Sequence, residues 1–109
     1  MKELIEYIEK STSLSDEIVN DLKAIIVERN IEKGEIIIQE NSTRKIQIFV
    51  ASGCVRAFYK TKKGKDHTLQ LATKNWWISD YMTLFNKEKS LLSIESLTHS
   101  KIMIIEQAE

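Results

Sequence analysis

The stretch Trp76-Trp77-Ile78-Ser79-Asp80-Tyr81-Met82-Thr83-Leu84-Phe85 holds the densest chemistry in the chain. Two adjacent indoles offer flat apolar walls, each with an N–H donor, and a hydroxyl and a carboxyl follow within three residues of Trp77. Such groups can line a small-ligand pocket, with Trp77 as a wall and Asp80 orienting a polar edge of the ligand. A structural reading competes with this one. Strand alternation would bury one indole and leave the other under a helical turn, and aspartate is a good N-cap for a short helix from Tyr81 to Phe85. Sequence alone leaves both open.

Other chemistries are excluded more directly. Ser, His and Asp residues occur, but none sits in a nucleophile elbow or a triad context. His67 and His99 lie far apart with no further ligand at a metal-binding spacing, so neither a zinc site nor the multi-His centre of cupin-type barrels is expected. The lone cysteine, Cys54, can make no internal disulfide and points to a reducing compartment; it reads as a small core or interface residue. Sixteen basic residues balance sixteen acidic ones, so no net field draws the chain to nucleic acid or to a bilayer. Lys60, Lys62, Lys63 and Lys65 are a local exception, and a lysine run at a hairpin tip is ordinarily solvated. The apolar run Ile102-Met103-Ile104-Ile105 is far short of the roughly 20 residues that span a membrane, and acids interrupt the N-terminus where a signal peptide would be apolar. The expectation is one soluble cytoplasmic domain with no membrane partner and no enzymatic activity.

The elements that must hold these groups follow from periodicity. Leu4, Ile5 and Ile8 predict a short amphipathic helix over residues 2–10. Ser15 reads as the N-cap of a second helix, with Asp16 and Glu17 in its first turn and Ile18, Leu22, Ile25 and Ile26 along one stripe. From Val27 the period changes to two. Ile36–Ile38, Ile46–Val50, Cys54–Tyr59, His67–Leu71, Leu91–Leu97 and Ile102–Ile105 read as strands, separated by turns at Lys33-Gly34, Glu40–Thr43, Gly53 and the Lys-rich tip. Seven or eight short strands at this spacing predict a mainly β, antiparallel sandwich or barrel, and no internal repeat or linker is visible. Proline is absent, so glycine, Asn, Ser, Asp and Lys must make every turn.

Two segments carry a family resemblance. Ile31-Glu32-Lys33-Gly34-Glu35-Ile36-Ile37 is similar to a basic/Gly-Glu turn, and Ile48-Phe49-Val50-Ala51-Ser52-Gly53-Cys54-Val55-Arg56 to a strand pair with a Gly-x-Val-Arg joint. With two leading helices, a glycine-tipped hairpin and an aromatic strand breaking into a short helix, their order resembles the cyclic-nucleotide-binding domain of Crp/Fnr-type bacterial transcription regulators. The resemblance implies an antiparallel jelly roll (β-roll) with a helical segment at 1–26, the roll at 27–105 holding a short helix near 80–85, and the start of a further helix at 106–109. It also implies that a dimerisation helix and a helix-turn-helix DNA-binding domain, neither present in this chain, belong to the full-length regulator. DNA, RNA polymerase and a homodimer partner would be engaged only through that longer protein, and the Lys-rich hairpin matches one lying close to partner interfaces in the family. The N-terminal cysteine cluster of oxygen-sensing members is absent.

In the family, a cassette opening with Gly-Glu and closing with Arg-Ser or Arg-Thr grips the cyclic phosphate. A backbone free of side chain approaches the ligand, a carboxylate takes the ribose hydroxyl, and a guanidinium takes the anion. Here Ser79-Asp80 stands at the Gly-Glu position and Ser90-Leu91 near the Arg-Ser position, and no arginine follows Arg56. The resemblance therefore assigns Trp77, Ser79, Asp80, Ser90 and Leu91 to the ligand site while removing its strongest anion contact, worth about 1.5–3 kcal/mol. Lys87 or Lys89 would replace it only as a point charge. The expectation is a sensory domain for an unidentified small-molecule effector, with a cyclic nucleotide disfavoured and no certain cofactor. A nucleotide-binding module serving a kinase or channel is the alternative, and a small cupin-like enzyme a third.

Overall fold

The computed structural model describes residues 2–80 and 89–106. Two helices come first, α1 (Lys2–Glu9) and α2 (Asp16–Ile25). Ser15 caps α2, its hydroxyl accepting the Ile18 N–H at 3.2 Å, while Asp16 and Glu17 sit against the positive end of the helix. Leu4 of α1 is buried, but Ile18 and Ile25 of α2 are exposed. The apolar stripe expected on α2 reaches the core only through Leu22, because Ile26 has already left the helix as the first residue of a strand.

Among the described residues eight strands follow: β1 (Ile26–Ile31), β2 (Ile36–Ile38), β3 (Ile46–Ser52), β4 (Val55–Lys60), β5 (Asp66–Ala72), β6 (Trp76–Ile78), β7 (Ser93–Ser96) and β8 (Ser100–Glu106). They form two antiparallel four-stranded sheets, ordered β1-β8-β3-β6 and β2-β7-β4-β5. This is an antiparallel sandwich, as the strand spacing predicted, and it is the jelly roll that the family resemblance implied. Its interior is a β-branched cluster in which Ile31, Ile48, Val55, Ile78, Ile94 and Ile102 are wholly enclosed. Burying each such side chain contributes about 1.5–3 kcal/mol. A second, smaller cluster lies on the outer side of the first sheet, where Leu4 packs with Ile26, Phe49, Ala51 and Met103. That layer fixes α1 to the roll.

Gly53 makes the β3–β4 joint. Its φ is +94°, and a Cβ there would lie 2.1 Å from Ser100 Oγ and 2.7 Å from the His99 carbonyl oxygen, so only glycine fits. Asn75, at φ 69°, makes the turn into β6, with its N–H on the Val50 carbonyl at 2.7 Å. Glu106 departs from expectation. It is the last residue of β8, opposite Ile46, and its carboxylate pairs with Arg44 at 3.0 Å, which extends the ladder where a helix start was expected. The short helix expected near 80–85 and the remainder of 106–109 lie outside the described residues. Among the described residues no helix is long and apolar enough to cross a membrane.

Candidate functional site

β6 determines where the chemistry of the Trp76–Asp80 stretch points. It pairs with β3 through Val50–Trp76, Phe49–Trp77 and Ile48–Ile78. Since side chains alternate, Ile78 enters the roll interior and Trp77 faces outward into the α1 layer. There the indole meets the Phe49 ring edge-on at 5.2 Å, and Phe49 in turn meets Tyr7 of α1 at 5.5 Å. After Ile78 the chain is held by a side chain: the Ser79 hydroxyl donates to the Ile46 carbonyl. Ser79 and Asp80 are both buried.

Ser90 is seated through its backbone. Its N–H donates to the Ser42 carbonyl at 2.8 Å, and its carbonyl accepts the Asn41 N–H at 2.7 Å. Asn41 sits at φ 73°, a left-handed conformation that asparagine tolerates, so the Glu40–Thr43 turn is the support for Ser90. The Ser90 hydroxyl then closes onto Asp80. It shares its proton between Asp80 Oδ2 and the Leu92 carbonyl 2.7 Å away, and accepts the Leu92 N–H at 3.2 Å. Ser90 is 0% and Asp80 3% exposed.

The five residues assigned from sequence thus divide. Asp80 and Ser90 are bonded to one another, and Ser79 is tied to β3 beside them. Trp77 turns to the opposite face of its sheet, and Leu91 is 64% exposed. A cavity of about 360 Å³ lined by Gln47, Trp77, Ile78 and Ser79 opens beside this region, within the size range of small-molecule pockets.

An anion bound at this place would need donors. Position 90 supplies a hydroxyl already engaged with Asp80 and Leu92, instead of a guanidinium fork. Arg56, the last arginine in the sequence, is committed elsewhere. Lying between the inward-facing Val55 and Ala57, it projects from the outer face of the second sheet. Its Nε donates to Glu95 Oε1 at 2.7 Å, Nη1 to Thr68 Oγ1 at 3.0 Å and Nη2 to Asp66 Oδ2 at 3.1 Å, with the guanidinium carbon 4.1 Å from the Phe58 ring centroid. Lys89 is exposed to solvent, and Lys87 lies outside the described residues.

Sequence reasoning missed the partners that lie far apart in the chain: Asn41 and Ser42 for Ser90, Ile46 for Ser79, and the Asp66–Glu95 clamp on Arg56. It also missed the ion cluster that ties α1 to the first sheet. Lys101 Nζ stands 2.7 Å from Glu3 Oε1 and 2.8 Å from Glu28 Oε1. The Lys101 hydrogen bond holds the Glu3 carboxyl down to about 2, and the bonds from Glu28 and Glu3 push Lys101 up to about 12. No local spacing signals a contact between residues 3 and 101. The register Glu28–Met103 would have placed Lys101 and Glu28 as diagonal neighbours once the β1–β8 pairing was known.

Two antiparallel four-stranded sheets closed on a β-branched interior define the class of the fold as a jelly roll. The sequence matches the cyclic nucleotide-binding domain family over residues 28–109, and the chain belongs to that family. Its fold is that of the corresponding domains in solved regulators. It is similar to the Thermus thermophilus catabolite activator protein (21% identity, TM-score 0.70, covering 87% of this chain and 44% of that one). It is also similar to the sensor domain of the transcriptional regulator DNR from Pseudomonas aeruginosa (17%, 0.75, 85% and 62%). A third similar structure is the regulatory subunit of a cAMP-independent protein kinase A from Trypanosoma brucei (15%, 0.72, 94% and 36%). The chain therefore spans less than two thirds of the length of each. Among curated proteins no significant relative is found.

Proposed function

We propose that this chain is the effector-sensing domain of a Crp/Fnr-like transcription regulator, and that it does not bind cyclic AMP in the family's usual way. In this reading residues 27–105 are the sensing roll and 1–26 its helical attachment. DNA and RNA polymerase are engaged in the cytoplasm by a longer, homodimeric regulator, and the domain itself has no enzymatic role. One observation carries the proposal: at the two grip positions of the cassette, Asp80 and Ser90 are buried and bonded to each other. A cyclic phosphate would have to break that bond and would then meet a carboxyl group with no guanidinium beside it. Its effector is accordingly a small molecule other than a conventionally bound cyclic nucleotide.

Calorimetric titration with cyclic AMP and cyclic GMP tests this. A silent trace with ligand at about 1 mM is expected, whereas saturable heat with a Kd below about 100 µM would overturn the proposal in favour of a working nucleotide module.

A further inference from the structure

The charge of the molecule is balanced in total but not in space. Acids crowd α1 and α2 on the first sheet, and the β4–β5 hairpin of the second sheet carries Lys60, Lys62, Lys63 and Lys65 in six residues. The one acid of that hairpin, Asp66, stands opposite Lys60 at the base of the tip and is bonded to Arg56. The four lysines make no ion pair with any described residue, and Lys60, Lys62, Lys63 and Lys65 are all exposed. The tip that presents them is a formed turn. Thr61 N–H donates to the Lys65 carbonyl at 2.8 Å, Gly64 N–H to the Thr61 carbonyl at 2.9 Å, and Lys65 N–H to Thr61 Oγ1 at 3.1 Å. Behind it, the exposed Tyr59 and His67 rings stack across the two strands at 5.2 Å, which stiffens the base of the ribbon.

We infer that this hairpin tip is a contact surface for the phosphate backbone of duplex nucleic acid. A preformed ribbon carrying four unpaired ammonium groups matches a polyanion that offers one charge per about 1.7 Å of axis. The composition argues against a protein partner. Lysine is depleted at protein–protein interfaces, and the tip has no apolar anchor among its lysines, whereas nucleic-acid interfaces are strongly positive. The contact is sequence-independent, since lysines on phosphates position a protein without reading bases.

Fluorescence anisotropy of a labelled 20-bp DNA duplex, titrated with the chain over a range of salt, tests the inference. Four phosphate contacts give a log–log salt slope of about −3.6, so affinity should fall about 150-fold between 50 and 200 mM salt. Replacing the four lysines with glutamine should abolish binding, and replacing them with arginine should retain it. Circular dichroism establishes that both variants fold. Binding that survives the glutamine variant, no binding by the unmodified chain at 50 mM salt, or tighter binding to polyglutamate than to DNA at equal salt would each overturn the inference.

Discussion

Removing the Ser90 hydroxyl tests the bond that closes the cassette. Ser90→Ala deletes the contact with Asp80 Oδ2 and both contacts with Leu92, at a position that is 0% exposed. Each hydrogen bond contributes about 0.5–1.5 kcal/mol net, and three are lost at a position where water has little access. A loss near 2 kcal/mol would lower the melting temperature of a domain of this size by roughly 8–16 °C. Loss of the Leu92 turn acts in the same direction, so the single variant does not apportion the effect. A double-mutant cycle does: Asp80→Ala, Ser90→Ala and the pair, each followed by urea unfolding. If the two side chains are bonded, the pair is less destabilised than the sum of the singles by about 1–2 kcal/mol. Additivity within about 0.5 kcal/mol refutes the closed cassette. Leu91→Ala is the control, expected within about 0.5 kcal/mol of the parent because Leu91 is 64% exposed.

Gly53→Ala should cost about 2–5 kcal/mol, combining a left-handed residue with overpacking against His99 and Ser100, and a urea midpoint close to the parent's would show that the joint relaxes. Because Lys101 holds Glu3 below its ordinary 4.5, the stabilisation is full above about pH 4.5 and is lost as pH falls toward 2. Lys101→Met should therefore flatten the stability profile between pH 5 and 2, and parallel profiles for variant and parent would count against the α1 anchor. Leu4→Ala, at a fully buried position, should cost about 2–5 kcal/mol and speed hydrogen exchange in α1. In a Trp76→Phe background it should also shift Trp77 emission to the red, through loosening of the Tyr7–Phe49–Trp77 contacts, and unchanged emission would place Trp77 outside that layer.

Apolar runs bounded by turn signals made the strands legible, but β3 and β8 bury both faces, Ile48 and Ile102 toward the roll interior and Phe49 and Met103 toward α1, so which face was which was not. The capped start of α2 was equally readable, since Ser15 and its following acids act within one turn. What could not be read were partners set by packing. The exposure of Ile18 and Ile25 depends on how α2 lies against the sheet, and the extension of β8 to Glu106 depends on Arg44, 62 residues earlier. The site shows the same division. Sequence resemblance aligned Asp80 and Ser90 with grip positions, but that they bond each other follows from the seating of Ser90 on the Asn41–Ser42 turn, which no local pattern encodes. Which way Trp77 faces was illegible for a simpler reason: one residue of strand register separates the roll interior from the α1 layer, and Trp77, which lines the cavity beside Ser79, is on the opposite face from Ile78.

This placement gives β6 two jobs. Ile78 is locked into the interior cluster and Trp77 into the layer beneath α1, so Ser79 and Asp80 directly follow a strand that touches both packed layers. On the proposed reading, an effector entering between Asp80 and Ser90 must replace their bond before it gains anything. A bond worth about 1–3 kcal/mol imposes a threshold of roughly 5- to 150-fold in affinity on any ligand that breaks it without substitution. Ligands that donate to the carboxyl and accept from the hydroxyl avoid that threshold, and ligands that present an anion to Asp80 do not. On that same reading the closed pair discriminates among effectors by hydrogen-bond character, and Asp80, two residues beyond the end of β6, connects that discrimination to the α1 layer through Trp77.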